Sequence, residues 1–239
     1  MSAGLNLAQL DAVNYVSGPC LVLAGAGSGK TRVITHKIQR LIQVGLEPKQ
    51  IAAITFTNKA ATEMRERARG LIGKAAKDVV ICTFHALGVR MLREDGQALG
   101  LKPQFSIFDS DDAMAIVQEL LATTDRGRLR SVQQTISLWK NGLIDPDAAE
   151  RSATTPNEVE ATKVYRSYNA TLAAYQAVDF DDLITVPAQI FERHPEVREK
   201  WQKRVKYLLV DEYQDTNVCQ YRLVQHLTGH RAMFTAVGD

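Results

Sequence analysis

Cysteine is scarce in this chain and never paired in sequence. Three residues, Cys20, Cys82 and Cys219, are spread over 239 positions with no C-x-x-C among them. That excludes a disulfide-stapled scaffold and a zinc knuckle. Each thiol sits in or beside an apolar run, where a reduced core residue of a cytosolic protein is expected. No apolar run approaches the length of a membrane span and no export leader opens the chain, so no membrane association is expected. Internal repeats and low-complexity tracts are also missing. There is no excess of charge: the net is +2, so any affinity for a polyanion must come from local distribution. What remains is ordinary globular composition, 45% hydrophobic and 23% charged, enough for one large domain or two small ones.

Against that background one stretch stands out, Ala24-Gly25-Ala26-Gly27-Ser28-Gly29-Lys30-Thr31. It follows the apolar run Leu21-Val22-Leu23 and precedes Val33, Ile34, Ile38, Leu41 and Ile42, which recur at helical spacing. Strand, glycine-rich turn and helix are the setting in which G-x-x-x-x-G-K-[ST] binds phosphate. Glycines let backbone N–H groups curl around phosphate oxygens, and the new helix aims its positive end at the same anion. Lys30 adds a point charge for the β- and γ-phosphates, and the Thr31 hydroxyl is placed to ligate Mg²⁺. The first motif position is Ala24 instead of glycine, which requires a negative φ there. The alternative is a flexible glycine turn with a surface lysine.

Upstream, Leu10, Ala12, Val13 and Val16 predict a short helix with Asn6 as its N-cap, ended by Gly18-Pro19. Downstream, Ile51–Phe56, Val79–Thr83, Tyr207–Val210 and Met233–Val237 read as buried strands, most followed by helices. Repeated strand–helix units predict a doubly wound α/β sheet with right-handed crossovers. Between Asp109 and Val178 no clear strand is expected. Helical stripes recur instead: Ala113, Ile116, Val117, Leu120 and Leu121; Val132, Ile136, Leu138 and Trp139; Val164, Tyr165, Tyr168 and Leu172. This predicts an all-α insertion, and its seven Lys/Arg against ten Asp/Glu make it acidic. The division expected is 1–90 for the first part of the α/β domain, 91–192 for the insertion and 193–239 for the second part. A last strand running into Gly238-Asp239 reads as cut.

Ligands of open α/β sheets bind beyond the carboxyl ends of the strands. Asp211 and Glu212 follow Leu208-Leu209-Val210 at such an end. There an Asp can hold Mg²⁺ and the adjacent Glu can take a proton from the attacking water. The plainer reading is that the pair only caps the next helix. Phe56-Thr57-Asn58 and Thr83-Phe84-His85 also sit at strand ends, where rings can stack on bases and polar groups can hold phosphates. The other reading makes Phe56 and Phe84 core residues and His85 a helix-terminus hydrogen bonder. Six Lys/Arg between Lys59 and Lys77, against Glu63 and Glu66, make that stretch basic, as six against three do between Ile190 and Lys206.

Five segments in order resemble the UvrD/Rep group of superfamily 1 DNA helicases. They are Ala24–Thr31 with Arg32, Thr55–Ala61, Thr83-Phe84-His85, Asp179-Phe180-Asp181-Asp182-Leu183 and Val210–Asp215. The resemblance covers essentially the whole chain. It implies a RecA-like P-loop NTPase sheet with helices on both faces, carrying a helical accessory insertion. It further implies that Gln9 reads adenine, that Arg32 packs on the base and that Ala24 to Thr31 hold the phosphates. By the same resemblance, Thr31 and Asp211 ligate Mg²⁺, Lys30 and Glu212 are catalytic, and Gln214 couples nucleotide state to motion. Phe56, Thr57, Asn58, Lys59, Thr83, Phe84 and His85 are implied to touch single-stranded DNA. The implied protein uses ATP and Mg²⁺, moves 3′ to 5′, unwinds duplex at single-strand/double-strand junctions, meets replication or repair proteins, and is cytoplasmic and nucleoid-associated. The family's second RecA-like domain, which supplies arginines to the ATP site, is absent here, so this chain is expected to bind ATP weakly and hydrolyse it barely. Two other classes stay open: an ATP-binding or partner-binding module without translocation, and a helicase–nuclease subunit.

Overall fold

The structure, a computed structural model, describes residues 4–239. In chain order the elements are α1 (Leu7–Asn14), β1 (Cys20–Leu23), α2 (Lys30–Gln43), β2 (Ile51–Thr55), α3 (Asn58–Ile72), β3 (Val80–Thr83) and α4 (Phe84–Asp95). Then come β4 (Ser106–Ile107), α5 (Ser110–Leu121), α6 (Arg126–Asn141), α7 (Pro146–Ser152), α8 (Pro156–Ala174), β5 (Ala177–Val178) and α9 (Asp182–Arg193). The chain closes with α10 (Pro195–Arg204), β6 (Tyr207–Val210), α11 (Val218–Thr228) and β7 (Phe234–Gly238). It divides into two compact units. One gathers residues up to Leu87 with Pro195–Thr216 and Val224–Asp239; the other is Gly88–His194 with Asn217–Leu223. The return of Asn217–Leu223, the start of α11 and the residue before it, to the second unit has no counterpart in the division expected from sequence.

The first unit is built on a five-stranded parallel sheet in the order β1-β7-β6-β2-β3. Every residue of β2 and β6 is buried, as strands covered on both faces must be. On one face Ile51, Ala53, Tyr207, Leu209 and Ile81 pack with Ile34, Ile38 and Leu41 of α2 and Met64 and Ala68 of α3. The 3.6-residue stripe of α2 is what turns those three residues inward. The sheet order leaves β1 at an edge. Leu21 and Leu23 are therefore 60% and 70% exposed, although their run reads like the buried strands. Cys20 is only half-buried for the same reason, while Cys82 and Cys219 are buried, and all three are free thiols.

The second unit is helical. Its core joins Ile116 and Val117 of α5, Val132, Ile136 and Trp139 of α6, and Val164, Tyr165, Tyr168 and Leu172 of α8. Leu138 departs from the expected stripe and is 73% exposed, because it lies a residue off the 132/136/139 face. A two-residue parallel pair, β4 with β5, is also present where no strand was expected at Ala177-Val178. Side-chain caps start the helices: Asp109, Asp125, Asp145 and Thr155 each accept from backbone N–H groups of the following first turn. Lys140 is buried beneath them and bridges Asp179 at 2.7 Å and Asp182 at 2.8 Å. Asn141 donates to Asp181 at 2.8 Å, so all three acids of the Asp179–Asp182 turn are tied to the end of α6.

Candidate nucleotide site at the strand tips

The loop from Ala24 to Gly29 leaves β1 and enters α2 directly. Gly27 and Gly29 take φ of 76° and 85°, the left-handed region where a Cβ is strained. Ala24 has no positive φ, which is why alanine is tolerated at that position. At Gly25 and Gly27 an added Cβ would meet nothing within 4 Å, so the glycines keep open the space above the loop. Gly29 caps α2 without any side-chain hydrogen bond. Arg32 N donates to Gly29 O at 2.9 Å, while no side-chain cap claims the N–H groups of Lys30 and Thr31, the condition for an anion site at a helix N-terminus.

Lys30 begins α2 and reaches across the sheet. Its Nζ lies 3.5 Å from Glu212 Oε2 and pairs with Asp239. The hydrogen bond to Asp239, reinforced by the charges of Glu212 and Asp239, holds its pKa above that of an ordinary lysine. Asp211 continues β6, donating its N–H to Ile54 O at 2.9 Å, and is 4% exposed. Burial pushes its carboxyl pKa up, and the neighbouring Glu212 charge adds to this. The Glu212 N–H, Lys30 and a hydrogen bond from the Thr31 hydroxyl act the other way. A desolvated carboxylate in contact with a hydroxyl fits a Mg²⁺ ion, which takes one or two protein oxygens and keeps water and phosphate as its other ligands.

Glu212 sits at φ 49°, a left-handed conformation that costs about 1–2 kcal/mol for a residue with a Cβ. It turns the chain back over the loop. Its N–H donates to Asp211 Oδ1 at 3.0 Å, and its Oε2 accepts from Gln214 Nε2 at 2.7 Å. Gln214 Oε1 in turn accepts from Asp239 N at 3.3 Å. Glu212 gives the short helical turn that follows it no side-chain cap hydrogen bond.

β1 and β6 are not neighbours in the sheet. β7 lies between them, and Ala24 N donates to Gly238 O at 2.9 Å. Gly238 allows the close approach, since a Cβ there would overlap Gln214 Oε1. Asp239 thus joins the site, a residue that sequence reasoning had used only as a boundary. Its place at a strand end after an apolar run was the available signal.

Gln9 lies in the first turn of α1. Asn6 and Gln9 form a reciprocal capping box, each side chain accepting from the other's backbone N–H at 2.9 Å. Gln9 Nε2 also donates to Ser28 O at 2.9 Å, bringing α1 onto the phosphate loop. Arg32, exposed on α2, has its guanidinium beside Gly4.

The ends of β2 and β3 form the other half of this sheet edge. Thr57, Asn58 and Lys59 are exposed, Phe56 and His85 half-buried. Thr57 Oγ1 caps α3 by accepting from Ala60 N at 3.1 Å. Thr83 is buried and caps α4 through Ala86 N at 3.2 Å. Phe84 departs from the DNA-contact expectation: it is 1% exposed and packs on Phe56 at a 60° tilt, ring centroids 5.4 Å apart, so it is a core residue and presents no face to a base. Among the described residues no cluster of three or more His, Cys, Asp or Glu side chains is set to hold a metal, and no helix is long and apolar enough to cross a membrane.

A parallel sheet with a phosphate loop at one strand tip and a buried Asp at another defines a RecA-like P-loop NTPase fold. Residues 5–239 match the UvrD/REP helicase N-terminal domain, and the chain belongs to that family. It is 50% identical over 98% of its length to the ATP-dependent DNA helicase Rep of Escherichia coli strain K12, covering 36% of that protein. It is 42% identical over 99% of its length to the ATP-dependent DNA helicase PcrA of Bacillus subtilis strain 168, covering 33% of it. The chain therefore spans about a third of the length of these relatives.

Proposed function

We propose that this chain is the nucleotide-binding first motor domain, with its helical insertion, of an ATP-driven helicase that moves on single-stranded DNA. The observation that carries the reading is the convergence of Lys30 on Glu212 and of Thr31 on Asp211 at one sheet edge. Loop N–H groups and Lys30 bind the triphosphate. Thr31 and Asp211 hold Mg²⁺, which when bound neutralises developing phosphate charge. Glu212 takes the proton of the attacking water, and Gln214, bonded to both Glu212 and the Asp239 backbone, senses the change. Gln9 retains one free N–H and one free lone pair beyond its present bonds, a match for adenine N7 and N6 but not for the two acceptors of guanine. Arg32 packs on the base. Phe56, Thr57, Asn58, Lys59 and His85 meet DNA, with Thr83 holding that turn in shape.

Two arms of one experiment test this. Titration of the chain with a fluorescent ATP analogue in Mg²⁺ should show binding that Lys30→Ala abolishes and Glu212→Gln preserves. Titration with a single-stranded oligonucleotide should show binding that Asn58→Ala with Lys59→Ala weakens, leaving nucleotide affinity unchanged. Nucleotide binding without any oligonucleotide binding would favour the stationary ATP module. Unwinding of a 3′-tailed duplex by the full-length protein should fail in both Lys30→Ala and Glu212→Gln. A helicase–nuclease subunit would in addition cut the strand.

A further inference from the structure

Lys37 is fully buried on α2, two turns beyond Lys30. Among the described residues no carboxylate lies within salt-bridge range of it. Its Nζ donates to Ala12 O at 2.8 Å, and the rings of Tyr15 and Tyr207 flank it at 5.9 and 5.8 Å. Burying an ammonium this way is costly, and burial lowers its pKa, partly opposed by the neighbouring Cys20 thiol. A cation kept there needs a structural return, and the place to look is its one carbonyl partner.

Ala12 belongs to the last turns of α1, whose carbonyls carry the negative end of the helix dipole and so suit an ammonium. α1 packs along α2, yet its apolar anchoring is sparse. Val13 is its only buried residue, and Leu7 is 82% exposed. Among the described residues polar ties join it to the phosphate-loop segment and its helix: Gln9 Nε2 to Ser28 O at one end and Lys37 Nζ to Ala12 O at the other. Ala12 and Gln9 are three residues apart, on one face of the helix. One tie near each end fixes the angle of the helix over the loop.

We infer that Lys37 is a positioning residue for base recognition: it pins α1 to the phosphate-loop helix and thereby orients the Gln9 amide toward the base. The inference rests on the proposal that Gln9 reads adenine, and goes beyond it by placing the control of that reading in a residue that touches no nucleotide. Loss of the pin should weaken adenine recognition while leaving the triphosphate cradle intact.

The test titrates the chain with mant-ATP and mant-GTP in Mg²⁺ and follows amide exchange. Lys37→Met keeps the stem and removes the donor. It should lower ATP affinity about tenfold, as expected for losing a charged hydrogen bond, and leave GTP affinity unchanged. The amides of Leu10–Asn14 should exchange faster, and those of α2 at the original rate. Lys37→Gln, which keeps a donor, should restore part of the ATP preference. Gln9→Ala should collapse the preference outright. An equal loss of ATP and GTP affinity in Lys37→Met, unchanged exchange in α1, or identical behaviour of the Met and Gln variants would overturn the inference alone. An unchanged preference in Gln9→Ala would overturn the adenine reading itself, and this inference with it. A collapsed preference in Gln9→Ala beside an intact one in Lys37→Met would sink only the role of Lys37.

Discussion

Replacing Lys140 with methionine should unfold the helical unit far more readily than replacing either of its partners' charges would suggest. One ammonium there serves two carboxylates. Burial pushes Asp179 up, but Lys140 and the hydrogen bond from Tyr168 more than offset it, so Asp179 stays below the usual carboxylate range. Asp182 is raised to about 6, by burial first and by the Asp179 charge as well, despite Lys140. Burial alone would lower Lys140; the two aspartates reverse this and hold it above an ordinary lysine. Removing the cation strands two buried carboxylates, and breaking such a pair costs about 3–5 kcal/mol.

Asp182→Asn should behave differently. An acid whose folded pKa is raised destabilises the fold increasingly as pH climbs from its unfolded pKa to its folded one, and fully above both. From 3.8 to about 6 that is about 3 kcal/mol at pH 7, which the neutral amide escapes. The amide oxygen can still accept from Lys140, so the variant should be no less stable than the parent at pH 7 and up to about 3 kcal/mol more stable. The chain has two tryptophans. With Trp201→Phe as background, buried Trp139, stacked on Tyr165 at 5.5 Å, reports the helical unit in a urea titration at pH 7. Lys140→Met should also recover part of its loss at pH 5, where a proton can replace the missing cation. If Asp182→Asn proves as damaging as Lys140→Met, the charge assignment within the triad is wrong.

Two further outcomes follow from single positions. At Gly88 an added Cβ would overlap the Leu183 carbonyl oxygen, a backbone atom that cannot swing aside. Gly88→Ala should therefore cost about 1–3 kcal/mol or more by overpacking, read in the same titration, and a neutral result would mean that α4 and α9 separate freely. Glu158 closes the capping box of α8, and hydrogen bonds from the Thr155 and Thr154 backbone hold its pKa down at about 2. A depressed acid stabilises the fold above its unfolded pKa and loses that contribution as pH falls through the folded one. Acid titration of the parent should thus show a slope between pH 4.5 and 2 that Glu158→Gln flattens.

Much of this molecule was legible residue by residue. The phosphate loop, its Lys30-Thr31 and the strand before Asp211 declare themselves, because a turn that needs Gly27 and Gly29 or a run such as Tyr207–Val210 is set by a few adjacent residues. One helix start was legible for the same reason, at Asn6; the caps at Asp109 and Thr155 are equally local chemistry but were found only in the structure. The core stripe of the insertion was readable down to Trp139 and Tyr165 from the 3.6-residue period, with Leu138 as the error of a single residue.

Other features depended on contacts that no local pattern encodes. Phe56 and Phe84 look alike as strand-end aromatics, yet packing sends one to the surface edge and the other into the core. Leu21 and Leu23 read as interior residues until strand order puts β1 at the border. Lys140 and Asn141 lie about forty positions from Asp179, Asp181 and Asp182 and meet them only through helix packing. Lys37 looks like an ordinary charged position on an amphipathic helix, and only the docking of α1 reveals its carbonyl partner. By itself the sequence determined which chemistry the chain carries, since dihedral preference and hydrophobic period act over a few residues. The tertiary structure decided which of those groups meet: it inserted β7 between β1 and β6 and so brought Asp239 to Lys30. Strand order and burial are set by contacts between distant segments, and no stretch of sequence holds both sides of such a contact.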